Sequence, residues 1–330
     1  MNGAISHCVD IVLLSAAMRD IDTVMPKDPW RDADAYWRNF ALNEELHIAG
    51  AFIFDGLRCI DEATDLRKDD ESFGILYNLA VGVERLCKIA LVLQNHDDEK
   101  EKINQLEKSL ITHSITDLIH RVDGAHPLCL AKPHNSLINL LTEFYNSYRY
   151  DRYIMNSVYK RRHEGRSLLT FVADQLSYKD PEHYDKRRLA TFVGKLMKKI
   201  VLGLYEAIDA GARNHQIFTY EIRYGSKAYK ILLRHEFDFF PEELVWKEIL
   251  IHLVLIGGGD LRKVLDGIEP LDFLEGDEIE HLSAFESRTA RGDLVERIEC
   301  LYEEMSPVSE RVEFLKYFGS GIYLADDEEE

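Results

Sequence analysis

Residues Leu79 to Leu93 read LAVGVERLCKIALVL, and within that run only Glu84, Arg85 and Lys88 are polar. A helix with so few polar positions buries most of its circumference. A charge left alone at the edge of a core costs about 3–5 kcal/mol, so it must be paired or put to use. Glu84 and Lys88 are four apart, stack on one helical face and can pair with each other. The plainer reading stops at that pair. The sharper one is a charged site built on the central helix of a bundle.

Upstream, residues 5–20 read as a short helix. Asp28-Pro29 has the pattern of a helix cap followed by a first-turn proline. From Trp30 the apolar positions (Ala33, Trp37, Phe40, Ala41, Ala49, Phe52, Ile53, Leu57, Ile60) fall mostly at three-four spacing, which predicts one long helix or two abutting ones. Asp61 to Glu71 is acidic and reads as a loop, with Ser72 capping the central helix. Downstream, Asn95 to Lys102 is polar and reads as non-helical. Ser114-x-x-Asp117 resembles a capping box opening a helix through His120. Gly124 to Pro133 reads as a loop. Asn135 would cap a helix with Leu137, Leu140, Leu141, Phe144 and Tyr148 buried and Tyr145, Arg149, Arg152, Tyr153 and Asn156 on the other side.

The second half reads as helical too. Asp180-Pro181 predicts the start of a long helix ending near Gly211. Residues 218–233 admit a strand or β-hairpin turning at Gly225-Ser226. Pro241 to Ile256, Asp293 to Met305 and Pro307 to Phe318 read as helices, and Asp326 to Glu330 as a disordered acidic tail. The fold class expected is mostly α: a helical bundle over 1–165, then a helical region with an acidic tail over 166–330.

A chain of 330 residues with 46% hydrophobic residues can bury one large core or two smaller ones. Its net charge of −19 disfavours duplex DNA and anionic membrane surfaces. No run approaches the roughly 18 apolar residues that span a bilayer. Val9 to Met18 lacks a basic flank, and His7 and Asp10 interrupt its approach, so it is not read as a signal peptide. Five scattered cysteines without a CxxC pair point away from structural zinc and disulfides and toward a reduced, cytoplasmic compartment. No cofactor motif is present. LVLIGGGD at 253–260 lacks the further glycine or GK[ST] of a phosphate loop, and the histidines show no metal-ligand spacing.

Charge is unevenly spread. Residues 149–199 hold 13 Lys and Arg against 6 Asp and Glu, while 241–330 hold 8 against 24. A basic segment in an acidic protein is a candidate phosphate surface. It can equally neutralise the acidic half, in the same chain or in a second copy.

Taken in order, Glu84-x3-Lys88 after YNLAVGV, then His113-Ser-Ile-Thr-Asp-Leu, then Arg149-Tyr150-Asp151 resemble the E-x3-K, H-x-L and RYxD-like elements of HEPN domains. The resemblance covers residues 70–160, with 29–64 as a first long helix. It implies an all-α bundle that commonly dimerises, and an RNA-directed activity. Many members are metal-independent ribonucleases of bacterial defence and toxin–antitoxin systems, acting through R-x4-6-H. There a histidine can shuttle a proton at the 2′-hydroxyl or leaving oxygen while an arginine stabilises charge on phosphate.

The chain departs from that pattern. The histidine after Arg149 is His163, fourteen residues on, and the one R-x4-6-H match is Arg121 to His126. The catalytic candidates are therefore Arg149, Glu84, Lys88, Arg121 and His126. Tyr145, Arg152, Tyr153, Arg161 and Arg162 are the candidates for stacking on unpaired bases and holding phosphates. The same Arg/Tyr face also suits an interface with a second copy or a partner protein. Two readings stay open: an RNA-directed effector, and a catalytically inert helical assembly protein.

Overall fold

A computed structural model describes residues 30–95, 99–148, 150, 153–157, 164–181, 183–215, 217, 222–240, 244, 246–251, 271, 298, 300–302, 304 and 308–317, with backbone alone at 157, 308–310, 316 and 317. Helix α1 (Ala33–Tyr36) passes through a π-helical turn (Trp37–Ala41) into α2 (Leu42–Glu62). The central helix α3 runs Asp69–Gln94. Then come α4 (Lys100–Ser109), α5 (Ile115–Ala125) and α6 (Lys132–Glu143), which ends in a second π-helical turn (Phe144–Tyr148). After a 3-10 turn (Met155–Ser157) follow α7 (Glu164–Leu176), α8 (Lys186–Asn214) and α9 (Lys227–Leu232). Residues 246–251 are helical, and α10 spans Val308–Tyr317. The fold is mostly α, with no strand among the described residues.

Helix α3 occupies the centre because its apolar residues leave almost no polar face. It packs against α2 most extensively and also against α5, α6, α7 and α8. Small residues let α2 and α3 approach closely. A Cβ on Gly82 would meet Ile53 Cδ1 at 2.5 Å, and one on Gly56 would meet Leu79 Cδ2 at 2.7 Å. One contiguous core runs from Leu42 to Phe239, across the boundary at 165/166 expected from composition.

A second, smaller cluster joins Leu244, Ile251 and Leu315, with Phe240, Tyr302 and Val312 against it. Beside it the carboxylate of Glu248, 0% exposed, accepts hydrogen bonds from Tyr302 Oη, Arg311 Nε and Arg311 Nη2, each at 2.6 Å. Burial, then the neighbouring Glu248 carboxylate, pushes the Tyr302 hydroxyl pKa up.

Several element boundaries differ from the sequence reading. Asp32 caps α1, its side chain accepting from Ala35 N; Asp28 lies outside the described residues. Ser72 does not cap α3. It sits buried in the first turn and donates to Leu66 O at 2.6 Å, tying the helix to the loop before it. Ser114 does cap α5, accepting from Asp117 N at 3.3 Å. That helix continues through Gly124 to Ala125, past the end expected at His120. The next helix starts at Lys132 with Pro133 in its first turn, so Asn135 is internal. Asp185, not Asp180, caps α8 by accepting from Arg188 N at 3.0 Å. The hairpin reading of 218–233 is overturned in its second arm, where a turn at Tyr224-Gly225 leads into a helix capped by Ser226, whose hydroxyl accepts from Tyr229 N; residues 218–221 lie outside the described residues. Ala228, Ile231 and Leu232 are buried at helical spacing there. The segments 5–20, 253–260 and 326–330 lie outside the described residues.

Candidate functional site

The polar trio of α3 divides between two faces. Arg85 pairs with Glu45 of α2, and its guanidinium lies 5.7 Å from the centre of the Phe52 ring. Glu84 and Lys88 turn the other way, and Lys88 Nζ donates to Glu84 Oε1 at 2.5 Å. The three charges therefore do not share one cleft.

Glu84 is 6% exposed, so its carboxylate needs more than one partner. The second is His113, whose Nδ1 lies 3.3 Å from Oε1 and 3.4 Å from Oε2. His113 directly precedes the Ser114 cap of α5. An N-cap residue has a fixed backbone conformation, so the residue before it is anchored relative to the helix. The imidazole is exposed and packs edge-on against Tyr145, with ring centroids 5.2 Å apart.

Tyr145 belongs to the π-helical turn at the end of α6. The wider turn changes the register, so Phe144, Tyr145 and Tyr148 are all buried. A row of rings, Phe73, Tyr77 and Tyr145, leads to His113 along the α3 face that carries Glu84 and Lys88. π-Helical turns recur at functional sites because they re-aim side chains within a helix. Here the turn sets an aromatic wall beside a carboxylate–imidazole pair. Such a pair can fix the imidazole tautomer and leave Nε2 as the proton-transfer atom.

The other sequence candidates lie elsewhere. Arg121 binds the C-terminus of α4, donating to Ser109 O at 3.0 Å and to Ser109 Oγ at 2.9 Å. His126 ends α5, its backbone N–H bonding Val122 O at 2.8 Å. No hydrogen bond joins Arg121 to His126, although the motif spaces them as R-x4-6-H. Tyr145 is 8% exposed, and its ring, buried among Tyr77 and His113, is closed to a stacking base. Tyr153 is 85% exposed and lies in a turn, whereas Tyr145 is buried, so the single Tyr145–Tyr153 face expected of a continuous helix does not form. Arg149, Arg152, Arg161 and Arg162 lie outside the described residues.

Sequence spacing passed over His113 as an acid–base candidate, because its partner is 29 residues away on another helix. The usable signal was its place directly before a capping box.

Two clefts of about 440 and 610 Å³ flank the outer face of α7 and share Arg166 and Thr170; neither takes in Glu84, Lys88 or His113. Among the described residues no group of three His, Cys, Asp or Glu is placed to hold a metal ion, and no helix is long and apolar enough to cross a membrane.

Fold and site together define a mostly α-helical protein with a carboxylate–ammonium–imidazole cluster at the edge of its central helix. Comparison with protein-family models, with curated proteins and with solved structures gives no match.

Proposed function

We propose that this protein is an RNA-directed effector of the HEPN type, a metal-independent endoribonuclease of a bacterial defence or toxin–antitoxin system. It acts in the cytoplasm as a homodimer or with a protein partner. The observation that supports this reading is the meeting of Glu84 and Lys88 with His113, residues of the first two resembling elements, beside the Tyr145 ring. His113 takes the proton of an RNA 2′-hydroxyl as that oxygen attacks the adjacent phosphorus. A second proton donor protonates the departing 5′-oxygen, leaving a 2′,3′-cyclic phosphate. Glu84 holds the imidazole in one tautomer and balances its charge once protonated. Lys88 and Arg149 supply positive charge for the phosphate.

The test is incubation of the purified protein with end-labelled RNA in EDTA. Cleavage that persists in EDTA and is lost on His113→Ala supports the nuclease. Absence of cleavage overturns it.

One observation favours the second reading, a catalytically inert assembly protein. Tyr150, Tyr153, Ile154 and Met155 are all exposed just after the π-helical turn, a run of apolar side chains suited to a partner surface. A stable oligomer disrupted by Tyr153→Ala, with no cleavage, would select that reading.

A further inference from the structure

Residues 186–205 of α8 contain six Lys and Arg and no Asp or Glu, in a chain with 59 acidic residues. The first three of those cations have structural partners. Lys186 Nζ donates to Asp61 O and Ala63 O, Arg187 pairs with Asp238, and Arg188 lies over the Tyr178 ring. The last three, Lys195, Lys198 and Lys199, are exposed on the outer face of α8 and pair with no carboxylate among the described residues.

On several other helices basic side chains are neutralised one helical turn away, as in Arg38–Asp34, Arg58–Glu62, Lys102–Glu99 and Arg213–Asp209. Lys195 and Lys199, four apart, instead repel each other, which costs a helix about 0.2–0.5 kcal/mol. A row of lysines along one helix, without a carboxylate partner among the described residues, fits the electrostatic footprint of a phosphate backbone. Lysine is a flexible point charge, suited to binding phosphates without reading sequence.

We infer that the Lys195–Lys198–Lys199 face of α8 binds the phosphate backbone of single-stranded RNA. This track is separate from the Glu84–His113 cluster. The choice of RNA over other polyanions rests on the function proposed above. Holding the strand at a second place raises its local concentration at the cluster without contributing to cleavage chemistry.

The experiment is fluorescence anisotropy of a labelled oligouridylate with the full chain across a salt series, in EDTA, using His113→Gln in every arm so that the RNA stays intact. Each phosphate contact on a single strand contributes about −0.7 to the slope of log K against log salt. The Lys195→Gln/Lys198→Gln/Lys199→Gln variant should therefore bind more weakly, with a slope shallower by about 2. Gln has helix propensity close to that of Lys, so the helix is retained. Unchanged affinity and slope would overturn the inference, as would a parent protein that binds no RNA. If the triple variant instead loses salt-sensitive self-association while RNA binding is unaltered, the face is an interface between copies and the inference also falls. RNA binding through this face without cleavage by the unsubstituted chain leaves the inference standing and sinks the nuclease reading alone.

Discussion

Glu84 and His113, 29 residues apart and on opposite sides of α4, meet with His113 Nδ1 3.3 Å from Glu84 Oε1. Glu84→Gln keeps the shape of the side chain but removes the charge that holds both Lys88 and His113. On the function proposed above, metal-independent RNA cleavage should fall by about 10–100-fold in Glu84→Gln and by about 100-fold or more in His113→Gln. Initial rates on an RNA carrying a fluorophore and quencher measure both. A wild-type rate in either variant would reduce the pair to a structural contact.

Close approach of α2 and α3 is set by Gly82, whose added Cβ would lie 2.5 Å from Ile53 Cδ1 and 3.1 Å from Ala49 O. Gly82→Ala should destabilise by about 1–3 kcal/mol through overpacking, despite the better helix propensity of alanine. Ile53→Val removes the clashing Cδ1 atom. The double variant should therefore recover part of that loss, a coupling that urea titrations of the four proteins would reveal. Simple additivity would show that the backbone shifts instead.

The same pair of helices shows what was legible in the sequence. The run from Leu79 to Leu93 announces a buried helix because only three of its fifteen residues are polar, and α2 follows from its three-four spacing. Helix α4 is nearly polar all round, with Leu106 its one buried residue, so periodicity gave no signal. Gly124 reads as a breaker yet lies within α5, where nothing stands within 4 Å of an added Cβ. The π-helical turn that moves Tyr145 inward has no composition of its own. The pairing of His113 with Glu84 was illegible for a different reason: it is a long-range contact that depends on how α5 docks on α3.

The loop between α2 and α3 should make stability depend on acid pH. Glu71 accepts from Thr64 Oγ1 at 2.7 Å, Thr64 N at 2.6 Å and Asp65 N at 3.1 Å, and the Thr64 hydroxyl leads the effects that lower its pKa to about 2. Hydrogen bonds from Arg67 hold the Asp65 carboxyl down to about 2 as well. Both folded values lie below the ordinary unfolded values of about 4. Their contribution is therefore fully present above about pH 4.5 and is lost as pH falls toward 2. The Asp65→Asn/Glu71→Gln variant should lose stability less steeply than the parent across that window, as thermal melts at successive pH values would show. Parallel curves would mean that the loop keeps these contacts in the unfolded chain.

The C-terminal cluster offers the sharpest stability test, because Glu248 is fully buried and its carboxylate takes three hydrogen bonds, two of them from Arg311. Arg311→Met leaves that charge with Tyr302 alone. Breaking a buried pair from one side costs about 3–5 kcal/mol, whereas replacing both partners by apolar side chains is often close to neutral. Arg311→Met should thus loosen the packing of residues 246–251 against α10, and Glu248→Leu/Arg311→Met should restore much of it. Hydrogen exchange of the 246–251 amides reads this locally, without requiring the rest of the bundle to unfold. Equal losses of protection in the single and double variants would show that the ion pair itself, rather than avoidance of a stranded charge, holds the two segments together.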